Sequence, residues 1–124
     1  MQLLKSCLFF IFIFVFTFLS RYLKISEEER CLLETQRAHV TLGNTLLHKV
    51  NTRSSDDPPR DIARAERHHV TSLDLCERLG CDVSSEELVQ MKARALLNLA
   101  NVCEEKGQLV TAIEFQQRAL NLFK

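Results

Sequence analysis

The sequence predicts an all-α fold in which helical hairpins stack side by side as a partial solenoid. Residues 37–44 recur as residues 94–101, with arginine, alanine, leucine, a small residue and asparagine in register. A second pattern, a packing residue followed by leucine, a polar residue and an aliphatic one, occupies positions 22–25, 72–75 and 119–122. Because only 3 glycines and 2 prolines interrupt the 124 residues, we expect long helices that bury their apolar faces against neighbouring units.

Composition narrows the classes of function. The chain carries 16 Lys and Arg against 16 Asp and Glu, so no net charge favours direct contact with nucleic acid. The sequence contains no glycine-rich phosphate loop, no serine-centred elbow and no HExxH zinc motif. Since a solenoid presents an extended surface to a partner, we expect a protein-binding chain and not an enzyme, with no catalytic residue, no cofactor and no metal.

Five cysteines are scattered along the predicted helices, without a disulfide framework or paired CxxC spacing. This use of cysteine is typical of a reducing compartment. A zinc site is only weakly indicated by His68, His69, Cys76 and Cys81, because spacing of the CxxC type is absent. The cysteines are Cys7, Cys31, Cys76, Cys81 and Cys103.

Residues 1–20 differ in composition from the rest, with a phenylalanine-rich run that carries no charge from Cys7 to Leu19. The run is shorter than the roughly 20 apolar residues of a membrane-spanning helix. It also makes a poor cleavable signal, because Phe18 stands two residues before Ser20, where a signal peptidase needs a small side chain. Its phenylalanines are Phe9, Phe10, Phe12, Phe14, Phe16 and Phe18.

Two explanations of this leader stay open. Its residue types have thymine-rich codons, so it could be the translation of a pyrimidine tract before a splice acceptor, which would make it a gene-model artefact. It could instead be a genuine uncleaved anchor, in which case the repeats would recruit partners to a bilayer surface. Residues 22–25 resemble the end of a repeat helix whose beginning is absent. We therefore expect a hydrophobic leader at 1–20 and a repeat region at 21–124 that is a fragment of a longer solenoid.

Capping signals divide the repeat region into two hairpins. Ser26 and Glu29 form a capping box, which predicts a first helix that reaches about Val50. The polar loop after it is expected to be flexible, and phosphorylation of Ser54 is conceivable there. Asp57 followed by two prolines then predicts the start of the paired helix.

The second hairpin has similar signals. Gly80 is suited to end the preceding helix, and Ser84 with Glu87 forms another capping box for a helix to about Glu105. Gly107 predicts a tight turn before the last helix. Two hairpins are fewer than the three repeats that such folds usually need.

From Ala93 onward the residues resemble a tetratricopeptide repeat, a helical hairpin of about 34 residues. Gln116 departs from that motif, in which an aromatic residue is usual at this position. The earlier unit matches more loosely, with an inserted loop between its helices. The resemblance implies tetratricopeptide-like hairpins throughout the repeat region. The matching positions are Leu96, Leu99, Ala100, Cys103, Gly107, Leu109, Ala112, Ala119 and Leu120 in the second unit and His39, Leu42, Gly43, Leu46, Ala65, His69, Ser72 and Leu73 in the first.

Within that class, the stretch from Tyr22 to Lys124 is similar to the amino-terminal repeat region of Tonsoku-like proteins, notably at residues 35–43 and 87–99. The resemblance implies a nuclear scaffold that handles new histones, histone chaperones and the replicative helicase. It also implies a role in recombination repair of broken or stalled replication forks. A histone or a histone chaperone is accordingly the expected partner.

In repeats of this type the first helix of each hairpin lines a concave groove, and we predict that polar residues at those positions contact a peptide ligand. Asparagine can both donate to and accept from an extended backbone, and arginine offers a planar fork to carboxylates. A solvated helix face also needs polar residues, so this alternative stays open. The groove candidates are Arg37, Asn44, His48, Arg94, Asn98, Asn101 and Glu105.

Overall fold

Five α-helices form the part of the chain that the computed structural model describes, residues 2–28, 31–79 and 83–124, and those residues contain no strand. Each helix packs against the next one in chain order. The predictions of an all-α fold and of a hydrophobic N-terminal helix are thereby confirmed. The helices are α1 (Gln2–Glu28), α2 (Leu32–Asn51), α3 (Pro58–Arg78), α4 (Ser85–Glu105) and α5 (Leu109–Asn121).

Local capping signals mark three helix boundaries. The Asp57 side chain accepts a hydrogen bond from the Arg60 backbone N–H at 3.4 Å at the start of α3. The Ser84 hydroxyl accepts one from the Glu87 backbone N–H at 3.2 Å at the start of α4. Gly107 adopts φ +76° between α4 and α5, a conformation that glycine tolerates and most residues do not. These predicted boundaries are confirmed, whereas Gly80 lies outside the described residues.

The prediction that the helix reaching about Val50 begins at Ser26 was wrong. Helix α1 continues through Ser26 to Glu28, and α2 begins only at Leu32, after Cys31, which makes no side-chain cap. No glycine or proline stands in 21–28, and its glutamates favour a helix, so the leader helix propagates past the expected cap. The other half of the expected capping box, Glu29, lies outside the described residues.

The loop between α2 and α3 is tied down and is not the flexible segment that the sequence predicted. Ser54 is only 2% exposed, so its hydroxyl is not open to a kinase in this fold. The buried Asp61 carboxylate accepts a hydrogen bond from Ser55. It also lies 3.8 Å from Lys49 Nζ and 3.7 Å from Arg64 Nη1. These contacts join the loop to both helices of the hairpin.

The core lies where the two hairpins meet. Small residues on α3 let α4 approach closely, and leucines fill the remaining space. Helix α1 adds Phe16 to this core beside Ile62. Its buried members include Leu46, Leu47, Ala65 and Val102, and a second cluster joins Ala93, Leu96 and Ala119 to Leu73, Phe115 and Leu122.

Within the first hairpin, Gly43 of α2 faces the ring of His69 on α3. A Cβ atom at Gly43 would stand 2.6 Å from Nε2 and 2.7 Å from Cε1 of that ring. His69 is fully buried, so the ring has no open space to move into. The absence of a side chain at Gly43 therefore sets how closely the two helices pack.

Helix α1 lies along α2 in the antiparallel sense, in the place that the second helix of a preceding hairpin would take. The Phe12 ring stands edge-on to His48 with 5.7 Å between ring centroids, and Lys49 Nζ lies 5.5 Å from the Phe9 ring centre. Phe12 is buried, whereas Phe10 and Phe14 on the outer face are 68% and 73% exposed. One side of the leader helix thus joins the fold and the other is uncovered.

Among the described helices, α1 is long and apolar enough to cross a membrane. The candidate span is Lys5–Lys24, 20 residues with a mean hydropathy of 2.0. The helix therefore exceeds the short uncharged run on which the sequence argument against a span depended. A signal sequence near an N-terminus would meet the same criteria.

Candidate functional site

A groove of about 410 Å³ runs between α2 and α4, the first helices of the two hairpins. Both helices contribute polar and apolar side chains to its walls. The lining residues are Gln36, Arg37, Val40, Thr41, Glu87, Gln90, Met91 and Arg94. The volume would suit a short stretch of peptide. Arg37, Thr41, Gln90 and Arg94 in the lining are exposed, so the groove opens to solvent.

Two of the predicted contact residues, Arg37 and Arg94, line this groove together. Both are exposed, and each stands at the same place in its repeat, so the repeat register brings them to the same face of neighbouring helices. Guanidinium groups favour carboxylates and bind them in a planar, bidentate way. The fold therefore brings two positively charged side chains that are distant in sequence into the lining of one groove.

The two arginines differ in their surroundings. Arg37 Nη2 lies 3.7 Å from Glu87 Oε1 across the groove, and both side chains are largely exposed. Exposed pairs of this kind contribute only about 0–1 kcal/mol. Arg94 makes no ion pair with any residue in the described ranges. One guanidinium is thus weakly engaged and the other is available to a ligand.

The floor of the groove combines apolar and amide groups. Val40 and Met91 supply apolar surface, and methionine adapts readily to different ligands. Gln36 is buried, and its Nε2 donates to the Sγ of Cys76 at 3.6 Å. Burial raises the pKa of the Cys76 thiol, so this sulfur stays protonated and packs as a small apolar group.

Asn44 and His48, also predicted to contact a ligand, lie in a different cleft of about 320 Å³ between α1 and α2. Ile11 and Phe12 of α1 form the opposite wall of that cleft. Asn44 and His48 therefore face the apolar side chains of the leader helix and do not line the groove between α2 and α4.

The last three predicted residues lie further along α4. Asn98 is half buried, and its Nδ2 atom has no hydrogen-bond partner in the described ranges. Asn101 and Glu105 are exposed and do not line the groove between α2 and α4. Their role as ligand contacts stays a prediction.

The other six lining residues were all missed by the sequence argument, although a signal for four of them was present. Val40 and Thr41 follow Arg37 by three and four positions, and Gln90 and Met91 precede Arg94 by four and three. Residues at these spacings share a helix face. A search one helical turn from each arginine would have found these four. Glu87 lies one turn further from Arg94, and only its contact with Arg37 on the neighbouring helix identifies it.

Three histidines cluster behind the groove, between α2 and α3. His39 Nδ1 lies 3.0 Å from His68 Nδ1, and neither ring nitrogen of His69 has a hydrogen-bond partner among the described residues. Burial, followed by repulsion from His68, lowers the pKa of His69 from 6.5 to about 4. Burial, followed by repulsion from His39 and from two arginines, lowers the pKa of His68 to about 4 as well. His68 and His69 are therefore neutral at physiological pH.

The weak indication of a zinc site gains no support from this geometry. In the described ranges no group of three or more His, Cys, Asp or Glu side chains is placed to hold a metal ion. The ring of His69 faces Gly43, and Cys81 lies outside the described residues. The histidines instead act as packing groups between the helices.

Comparison with known proteins agrees with a helical-repeat scaffold. Over 106 residues the chain is 32% identical to the Tonsoku-like protein of Drosophila melanogaster. The match covers 83% of this chain but 8% of that protein, so the chain spans a small part of the relative's length. No protein-family model matches the chain, and no solved structure matches it. The chain is thus similar, over most of its own length, to one short segment of a Tonsoku-like protein.

Proposed function

We propose that this chain is a protein-binding segment of a nuclear scaffold, built from tetratricopeptide-like hairpins, that acts in replication-coupled repair of DNA double-strand breaks. Its partners would be histones or histone chaperones, and it would perform no catalysis. The groove between α2 and α4, with Arg37 and Arg94 on one face, is the observation that carries the binding role. The 32% sequence identity to a Tonsoku-like protein over 83% of the chain supports the choice of repair pathway and of the nucleus as the compartment.

The same proposal divides the chain into a leader at 1–20 and a binding region at 21–124. The groove lies wholly within 21–124. Long-read sequencing of transcripts across the codons for Ser20 and Arg21 tests the leader. Transcripts that join other coding sequence directly to Arg21 would identify the leader as an artefact, and transcripts that contain it would establish it as part of the protein.

Arg94→Ala is expected to weaken binding of a histone or chaperone partner about tenfold, because it removes the unpaired guanidinium from the groove. Asn101→Ala is expected to have a smaller effect, since Asn101 lies beyond the groove lining. Isothermal titration with purified core histones and with a purified histone chaperone measures both. Arg60→Ala is the matched control, because it removes an exposed arginine from the start of α3. Unchanged binding in Arg94→Ala would remove the groove from the proposal, and unchanged binding in Asn101→Ala would remove Asn101 from the predicted contacts.

A membrane-anchored adaptor is a second candidate, favoured by one observation. Helix α1 contains the apolar span Lys5–Lys24, and Phe10, Phe14 and Phe18 on its outer face are all more than 60% exposed. Insertion in a bilayer would bury these rings. It would also withdraw Phe12 and Phe16 from their contacts with α2 and α3.

If the leader is an anchor, a fluorescent reporter fused to residues 1–24 is expected to sediment with membranes and to resist extraction with alkaline carbonate. The matched control carries Ile11→Lys and Phe14→Lys, since each charge at the centre of a span opposes insertion by about 2.5–3.5 kcal/mol. Membrane association that the two lysines abolish supports the anchor. A reporter that stays soluble without them contradicts it.

A further inference from the structure

The placement of Arg37 and Arg94 restricts the chemistry of the ligand. Each arginine stands at the same position of its repeat, and together they line one groove. The only acidic side chain in that lining is Glu87. Because two guanidinium groups face one carboxylate, the groove has an excess of positive charge although the chain as a whole has none. An acidic ligand complements this charge, whereas a basic one would be repelled.

The distance between the helices sets the spacing of the ligand's charges. Helices α2 and α4 contact each other directly. Because packed helices lie about 8–10 Å apart, we expect the Cα atoms of Arg37 and Arg94 to be separated by a similar distance. In the polyproline II conformation a chain rises about 3.1 Å per residue and returns to the same face every three residues. Two acidic residues three positions apart would therefore meet the two arginines from one side of such a segment.

Glu87 shows how a carboxylate sits at this site. Its Oε1 atom lies 3.7 Å from Arg37 Nη2, so it occupies part of the place that a ligand carboxylate would take. The pair is exposed and weak, and a ligand that engages Arg94 at the same time can displace it. Val40 and Met91 then offer an apolar surface to the residues between the two ligand carboxylates.

We propose that the groove between α2 and α4 binds an acidic segment of a partner protein in an extended, polyproline II-like conformation, with carboxylates three residues apart on Arg37 and Arg94. This inference rests on the proposed function and narrows it. Among the partners considered, it favours an acidic protein such as a histone chaperone over the basic tail of a histone. Glu87 is an internal competitor that lowers the affinity of the free site.

Fluorescence polarisation with short labelled peptides tests the inference on the full 124-residue chain, kept in a mild neutral detergent because of its exposed phenylalanines. The probe carries two glutamates three positions apart in a serine and glycine background. A second peptide has the two glutamates adjacent, and a third has lysines in their place. We expect the first peptide to bind tightest and the lysine peptide not to bind, with affinity falling as salt rises.

Variants of the chain locate the binding. Arg37→Ala and Arg94→Ala are each expected to weaken the spaced-glutamate peptide about tenfold, while Arg60→Ala leaves it unchanged. Glu87→Gln is expected to strengthen binding up to about fivefold, because it releases Arg37 from its competitor. Unchanged far-ultraviolet circular dichroism confirms that each variant folds, and a gain of affinity in Glu87→Gln cannot arise from unfolding.

The outcomes separate this inference from the proposed function. Tight binding of the lysine peptide, or equal binding of the spaced and adjacent glutamates, overturns the acidic segment and its spacing but leaves a peptide-binding groove. Binding of the acidic peptide that neither arginine variant weakens also overturns it. If no acidic peptide binds while core histones do, the scaffold role stands and this inference fails. If neither the peptides nor the histone partners bind, both fail.

Discussion

Adding one methyl group at Gly43 is expected to lower the free energy of unfolding by about 1–3 kcal/mol. The new Cβ would lie 2.6 Å from Nε2 of His69 and within 2.9 Å of two carbons of its ring. In an exposed helix the same change would stabilise by about 1 kcal/mol, because alanine favours a helix over glycine. The clash prevails here because the ring is fully buried and the packed core does not let it move.

Urea denaturation followed by circular dichroism measures this effect, and a double variant identifies its cause. In a His69→Ala background the ring is gone, so Gly43→Ala is expected to become neutral or stabilising. Asn44→Ala, the exposed neighbour on α2, is the control for a change on the helix surface. A loss of stability at Gly43 that persists without the His69 ring would contradict the close packing of α2 on α3.

The second large effect is a loss of stability in acid. His68 and His69 each have a folded-state pKa of about 4, against 6.5 in an unfolded chain. Above about pH 7 both rings are neutral in both states, so their contribution is fully present. As the pH falls from 6.5 towards 4 the unfolded chain takes up protons that the folded chain excludes, and stability decreases. His69 alone accounts for up to about 3 kcal/mol, and the partly exposed His68 contributes less because water screens its charge.

Urea titrations between pH 4 and pH 8 check this prediction. His69→Phe is expected to flatten the dependence on pH, because its ring cannot be protonated. Its larger ring in a tightly packed site opposes the gain from removing two buried nitrogens that lack partners among the described residues. The slope of stability against pH, and not the stability at pH 7, is therefore the readout. Arg60→Ala, which alters an exposed residue that does not titrate in this range, should leave the slope unchanged. A pH profile that is equally steep with and without His69 would contradict the assignment.

The boundaries that depend on short-range chemistry could be predicted from the sequence. Ser84 caps α4 and Asp57 caps α3 because their side chains reach a backbone N–H within the next turn. Such signals need no knowledge of the rest of the fold. The cap at Ser26 failed because a stronger local tendency, the continuing helix of the leader, competed for the same residues.

The lining of the groove between α2 and α4 could be predicted only in part, for a related reason. The repeat register identified Arg37 and Arg94, since equivalent positions of stacked hairpins share a face. Register cannot tell which part of that face remains open. Helix α1 forms the opposite wall of the cleft that contains Asn44 and His48, and this depends on contacts between residues more than thirty positions apart, such as Phe12 and His48.

The sequence by itself determined the all-α class, the hairpin order and the pair of arginines, because periodicity and capping are properties of neighbouring residues. Only the tertiary structure decided that the leader packs against α2, that Ser54 is buried, and that Glu87 lies beside Arg37. Each of these depends on which surfaces meet when the helices pack. The apolar periodicity of one helix does not identify the residues that it contacts on another helix, so such contacts follow from the packing of the assembled core.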